Sequence, residues 1–267
     1  MMAPPTFLFE RGPLPLLVSM PHVGTQLPAD LAARMTPEAL RLADTDWHLP
    51  QLYDFLEDMG ANVLVAINSR YVIDLNRDPA GQALYPGMDN TELCPLRTFE
   101  RIPLYAPGAE PNADEIAVRV AAYWQPYHDK LAATLAELRA RHGYALLFDA
   151  HSIKSVLPRF FAGRLPDFNL GTADQASADP AVGESLLDVA RGFGAYTSVL
   201  NGRYKGGYIT RRYGRPAQQV HAVQLELGWD SYMDEAGFAF NDSRAAAVRP
   251  ALRAMIEQFV ALGAELN

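Results

Sequence analysis

A single cysteine, Cys94, stands among 267 residues, so no internal disulfide can form and a disulfide-stapled secreted fold is excluded. No apolar run reaches the roughly 18 residues that a membrane-spanning helix requires. Basic blocks are missing too: 23 Lys and Arg face 31 Asp and Glu, a net charge of -8. That composition argues against a nucleic-acid or anionic-membrane partner. It leaves room for an anionic small molecule, because a few arginines inside a pocket overrule the global charge locally. The first twelve residues carry Pro4, Pro5, Glu10 and Arg11 rather than a basic segment followed by an apolar one, so no signal peptide and a cytoplasmic location are expected. Composition says nothing of oligomeric state.

What is present fits a soluble globular chain. Apolar residues make up 49% and charged residues 20%, enough for one domain over residues 1–267 with a substantial core. Apolar runs predict strands near 15–20, 62–67, 144–149, 195–200 and 221–227. Helical spacing appears near 29–43, 47–59, 113–142, 181–193 and 242–263. In the longest of these, Ile116, Val120, Trp124, Tyr127, Leu131, Leu135 and Leu138 make one apolar stripe, and Pro126 should kink or divide it. The last is expected to start at an Asp242 or Ser243 cap. Alternating strands and helices predict an α/β sandwich with a largely parallel sheet. Two connections, 68–112 and 150–180, are unusually long for structureless loops and carry Arg70, Asn76, Arg77, Tyr85, Pro86, Arg159 and Arg164.

Two of the predicted strands end in a histidine. Tyr144-Ala145-Leu146-Leu147-Phe148 runs into Asp149-Ala150-His151-Ser152, and Leu16-Leu17-Val18-Ser19-Met20 runs into Pro21-His22. Open α/β sheets place their ligands at the carboxyl ends of strands, so His22 and His151 in matching contexts suggest a metal site. Of the other four histidines, His128 and His142 are expected on the helix surface, while His48 and His221 open elements and need no special role. A catalytic zinc takes three protein ligands and keeps an open position. His22-Val23-Gly24-Thr25 lacks the carboxylate of an H-x-x-E motif, so the third ligand must come from elsewhere. Asp46 and Asp44, in Asp44-Thr45-Asp46-Trp47, are the best sources. Either can equally cap the helix that follows.

Strand alternation sets Val223, Leu225 and Leu227 on one face and Gln224 and Glu226 on the other. Glu226 is therefore either a general base for an activated water or an edge residue facing solvent. Asn76-Arg77 offers an amide beside a guanidinium fork, suited to a carboxylate ligand or to an ion pair with Asp74 or Asp78. Lys205-Gly206-Gly207-Tyr208-Ile209-Thr210-Arg211-Arg212 reads as a lid, an anion-binding loop or a hairpin turn. Ser152 sits next to His151, yet no G-x-S-x-G elbow presents it as a nucleophile.

Together, Ser19–Thr25, Asp44–His48, Asn68–Arg77, Asp149–Ser152, Asn201–Arg211 and Gln224–Leu227 resemble the N-formylglutamate amidohydrolase family. That family is distantly similar to zinc carboxypeptidases and succinylglutamate desuccinylases. The resemblance implies a three-layer α/β/α sandwich with a mixed, largely parallel central sheet of the carboxypeptidase kind. It implies one Zn2+ held by His22, Asp46 and His151, with Asp46 standing where the relatives' H-x-x-E glutamate would, and Asp44 still open. It further implies Glu226 as general base and Asn76 with Arg77 on the substrate carboxylate. Arg70 is read as the cation at the oxyanion, and Arg211, with Tyr208 beside it, as completing the substrate-binding set. The implied activity is zinc-dependent hydrolysis of N-formyl-L-glutamate to L-glutamate and formate, the deformylase step of histidine degradation. The alternatives are a zinc hydrolase of another N-acyl amino acid or carboxyl-terminal peptide, and a metal-free module that binds acidic amino acids.

Overall fold

The computed structural model describes residues 5–84, 87 and 89–266; Tyr85 and Pro86 of the first long connection lie outside the described residues. Its centre is a seven-stranded sheet. The strands are β1 (Phe7–Glu10), β2 (Leu16–Met20), β3 (Asn62–Ala66), β4 (Ala145–Ile153), β5 (Phe168–Gly171), β6 (Ser198–Leu200) and β7 (Val220–Gly228), in the order β1-β3-β2-β4-β7-β5-β6. Strands β3, β2, β4 and β7 run parallel, and β6 runs parallel to β5. The antiparallel pairings are β1 with β3 and β5 with β7. The sheet is therefore mixed and mostly parallel. A small hairpin, β8 (Met233–Asp234) with β9 (Ala239–Phe240), stands apart from it.

The helices are α1 (Ala29–Ala32), α2 (Leu49–Leu52), α3 (Phe55–Met59), α4 (Ala113–Arg119), α5 (Gln125–His142), α6 (Pro180–Gly192), α7 (Tyr208–Tyr213) and α8 (Asp242–Glu265). Strand alternation divides the core between the two sheet faces. Leu16, Val18, Phe148, Ala150, Val223 and Leu225 pack with α6 and α8 through Val182, Leu186, Leu252, Ile256 and Phe259. Leu17, Leu147 and Ala222 pack on the other side with Tyr127, Leu131, Leu135 and Leu138 of α5. The result is three layers. No helix among the described residues is long and apolar enough to cross a membrane.

Strands β4 and β7 are buried along their whole length, and a strand covered on both faces ordinarily reads as a continuous apolar run. These two break that rule at their carboxyl ends. Asp149 pairs in register with Gln224, and His151 with Glu226, so four polar side chains share the α5 face. Polar residues can be placed there because they border a cavity.

The structure corrects several sequence expectations. The segment 29–43 holds only α1 and a 3-10 turn at Ala39–Arg41, and 47–59 splits into α2 and α3. The stripe over 113–142 holds, but a π-helical turn at Val120–Trp124 precedes Pro126, which sits at the start of α5 and costs no interior hydrogen bond. Asn241, rather than Asp242 or Ser243, caps α8 by accepting the Arg244 N–H. Strands β1 and β5 were unexpected; β1 is a short edge strand and β5 lies inside the second long connection. His128 is buried, not superficial. The glycine-rich stretch is no hairpin, for it leads into α7.

Candidate active site

The polar ends of β2 and β4 meet two loops. His22 follows β2 directly. Asp46 lies in the turn before α2, where its backbone N–H donates to the His22 carbonyl at 3.0 Å. His151 lies in β4. His151 Nδ1 stands 3.0 Å from Asp46 Oδ2, and His22 Nδ1 stands 3.8 Å from the same oxygen. The three residues form one buried cluster whose ligand atoms lie within 4.8 Å of one another. These separations bracket the roughly 3.3 Å edge of a tetrahedron with bonds of about 2.0–2.1 Å. Two imidazoles and a carboxylate suit a divalent metal.

The remote nitrogens carry the second half of the argument. His22 Nε2–H donates to Asp74 Oδ1 at 2.7 Å, and His151 Nε2 lies 3.1 Å from Asp149 Oδ2. A carboxylate behind each ring turns its Nδ1 toward the cluster and raises its basicity. Burial and Arg70 hold the His22 imidazole below its ordinary range. Burial also opposes a charge on His151, yet Asp149 and Asp46 outweigh it and push that imidazole well above. Carboxylates arranged to favour a cation on a ring would equally favour one between the rings.

Asp46, and not Asp44, faces the histidines. Asp44 turns away to accept the Phe99 N–H at 2.9 Å, and burial raises its carboxyl to about 6. Asp74, by contrast, went unrecognised as more than an ion-pair alternative. It is fully buried, takes His22 on one oxygen and Arg70 Nη2 on the other at 2.6 Å. Arg70 and His22 hold it well below the carboxylate range despite its burial. Its sequence signal was the buried tract Tyr71–Asn76, which folds a charged residue into the core.

A cavity of about 570 Å³ opens beside the cluster and is bordered by His22, His151, Arg70, Asn76, Arg77 and Glu226 among others. Glu226 faces it from β7, as the alternation predicts, in a strand flanked by β4 and β5 rather than at an edge. Burial raises its carboxyl to about 8 against the opposing pull of His151. Gln224 lies beside it, donating from Nε2 to Glu226 Oε2 at 3.3 Å and accepting the Gly207 N–H at 2.7 Å. Asn76 spends its amide internally, with Nδ2 2.9 Å from His151 Nε2 and Oδ1 accepting the Ile209 N–H at 2.8 Å. Arg77 is fixed by Thr91, whose Oγ1 accepts Nη2–H at 2.8 Å. Tyr208 and Arg211 border a neighbouring depression, which shares Arg77 and Leu84 with the cavity. The Ser152 hydroxyl is occupied, 2.8 Å from Tyr232 Oη.

Fold and cluster define the class first: an α/β protein with a candidate metal centre at the carboxyl ends of its parallel strands. The N-formylglutamate amidohydrolase family model matches residues 14–233, and the chain belongs to that family. It is 51% identical over 258 residues to an N-formylglutamate deformylase of Pseudomonas aeruginosa, covering 96% of this chain and 97% of the relative. It is 47% identical to an N-formylglutamate deformylase of Pseudomonas putida, covering 96% of each. Among solved structures it is similar to an N-formylglutamate amidohydrolase from Ralstonia eutropha JMP134, with a TM-score of 0.78, 26% identity and 98% of each chain covered.

Proposed function

We propose that the protein is a cytoplasmic N-formylglutamate deformylase working with one zinc ion held by His22, Asp46 and His151. The observation that carries this reading is the His–Asp–His cluster sharing one cavity with the buried carboxylate Glu226. The names of its relatives supply the substrate.

Bound there, zinc would supply Lewis acidity, polarising the formyl carbonyl and making water acidic near pH 7. The rest falls to the chain. Glu226, its pKa raised into the working range, takes the proton of the attacking water and returns it to the departing nitrogen. The formyl C–N bond breaks, the water oxygen stays on carbon, and formate and L-glutamate leave. Arg70 stands 3.9 Å from Asp46 Oδ1 and offers its cation to the developing oxyanion. Arg77, with Asn76 beside it holding His151 in place, receives the α-carboxylate. Tyr208 and Arg211 serve the substrate from the adjoining depression. An acidic protein binds a dianion in this way by grouping its arginines.

The test is formate release from N-formyl-L-glutamate by zinc-loaded protein, beside a chelated control and Glu226→Gln. Release lost in both controls is the expected result. No release despite stoichiometric zinc would overturn the substrate and direct attention to other N-acyl amino acids. Release untouched by chelation would overturn the metal.

A further inference from the structure

An N-acylated glutamate brings two carboxylates, and Arg77 accounts for one. A further arginine borders the same cavity: Arg203, from the connection between β6 and α7. Its Nε–H donates to the Phe160 carbonyl at 2.6 Å, which fixes the plane of the guanidinium. The guanidinium carbon lies 5.2 Å from the Tyr204 ring centroid and 5.9 Å from that of Phe160. Phe160 meets Phe99 edge to face at 5.3 Å, and Phe99 carries the Arg70 guanidinium 4.7 Å from its own centroid. A row Arg70–Phe99–Phe160–Arg203 thus leads away from the metal cluster along the cavity wall.

The two arginines at the ends of this row are not equivalent. Arg70 is committed to Asp74 at 2.6 Å. Arg203 is oriented by a main-chain carbonyl and by two rings, which align a planar fork without neutralising its charge. Arg211, the other arginine of this stretch, donates Nε–H to the Gly206 carbonyl at 2.8 Å and borders the adjoining depression, not the cavity.

We infer that Arg203 receives the side-chain carboxylate of the substrate and thereby sets the preference for dicarboxylic over neutral N-acyl amino acids. The inference rests on the proposed deformylase reading. Phe99 and Phe160 give the two side-chain methylenes an apolar surface, and the guanidinium ends it with a bidentate partner for a carboxylate. A neutral amide of equal length would meet the same surface but leave a cation facing it without compensation, and sites built this way reject such analogues strongly.

Steady-state kinetics with N-formyl-L-glutamate and N-formyl-L-glutamine tests this in the zinc-loaded wild type and in Arg203→Gln, Arg203→Lys and Arg211→Gln. For Arg203→Gln, kcat/KM on the glutamate substrate should fall about 100-fold, chiefly through KM, with less than about threefold change on the glutamine substrate. Arg203→Lys should restore part of the preference, and Arg211→Gln should keep it. Equal losses on both substrates would mean that Arg203 is only structural and would overturn the inference. So would an unchanged preference, or one that collapses in Arg211→Gln instead. If wild type deformylates neither substrate, the reaction itself falls, and calorimetric titration with L-glutamate decides the residue. Binding present in wild type and lost in Arg203→Gln then upholds the assignment; binding alike in both, or in neither, removes it.

Discussion

His22 and Asp74 are joined by a hydrogen bond of 2.7 Å between two side chains that are both shielded from solvent. The bond settles which imidazole nitrogen carries the proton and which faces Asp46. Asp74→Asn keeps the shape but removes the charge that supports the ring and neutralises Arg70. Outer-shell carboxylates of this kind govern metal affinity by about 10–100-fold. Chelator competition with zinc-loaded Asp74→Asn should show a loss in that range. Unchanged affinity in a folded variant would separate Asp74 from the metal centre.

Glu226 and Gln224 should separate chemistry from metal binding. Glu226→Gln is expected to lower kcat by about 10²–10⁴-fold while zinc stoichiometry stays at wild-type level, since Glu226 is outside the His–Asp–His cluster. Gln224→Leu removes the 3.3 Å donor to Glu226 without touching the base itself. A fall of about tenfold in kcat with little change in KM is the signature of lost positioning. A rise in KM alone would move Gln224 to substrate binding.

Much of this site was legible in the sequence because strands alternate. His151 and Glu226 project to one face of adjacent parallel strands in direct register, and both stood out as polar residues at the ends of apolar runs. Asp46 was legible only together with the family resemblance, since position alone could not separate it from Asp44. Asp74 and Arg203 were harder to read, because no periodicity governs an irregular connection. What orders the Asp74 segment lies far away in sequence: Arg119, buried on α4, donates Nη1–H to the Val72 carbonyl and to Tyr105 Oη, both at 3.0 Å. The short helices α1 to α3 failed for a related reason, as they are held by packing against the sheet rather than by their own length.

Gly207 allows close approach where the loop before α7 meets the site. A Cβ there would collide with the Asn76 amide, the group that touches both His151 and α7. Gly207→Ala must therefore displace Asn76 or the loop, although the backbone conformation itself, with φ at -82°, is ordinary. A fall in kcat/KM of at least about tenfold is expected, with thermal stability reduced only modestly. Full activity would mean that Asn76 has room to move without disturbing His151.

His128 should make stability depend on pH in a way that has nothing to do with catalysis. It stacks on Trp124 with ring centroids 3.6 Å apart, and its Nε2–H donates to the Leu75 carbonyl at 2.8 Å. Burial, only partly offset by that carbonyl, lowers its pKa to about 4. The unfolded chain takes up this proton near pH 6.5, so the folded state is favoured above that pH and loses the advantage as pH falls toward 4. The contribution lost is about 1.4 kcal/mol at pH 5.5 and about 3 kcal/mol at pH 4. Asp44 acts in the opposite sense: with a folded pKa of about 6, above the usual carboxylate value, it destabilises the fold as pH rises through 4 to 6. The raw pH profile therefore mixes both. Urea unfolding of wild type and His128→Gln at pH 7.0, 5.5 and 4.5 isolates the histidine, because Asp44 cancels in the difference. The variant should be less stable at pH 7.0, having lost the stacked ring, and the gap should narrow by about 1–2 kcal/mol on acidification to pH 5.5. A constant gap would show that His128 titrates alike in both states, and that its burial against Trp124 does not hold it neutral.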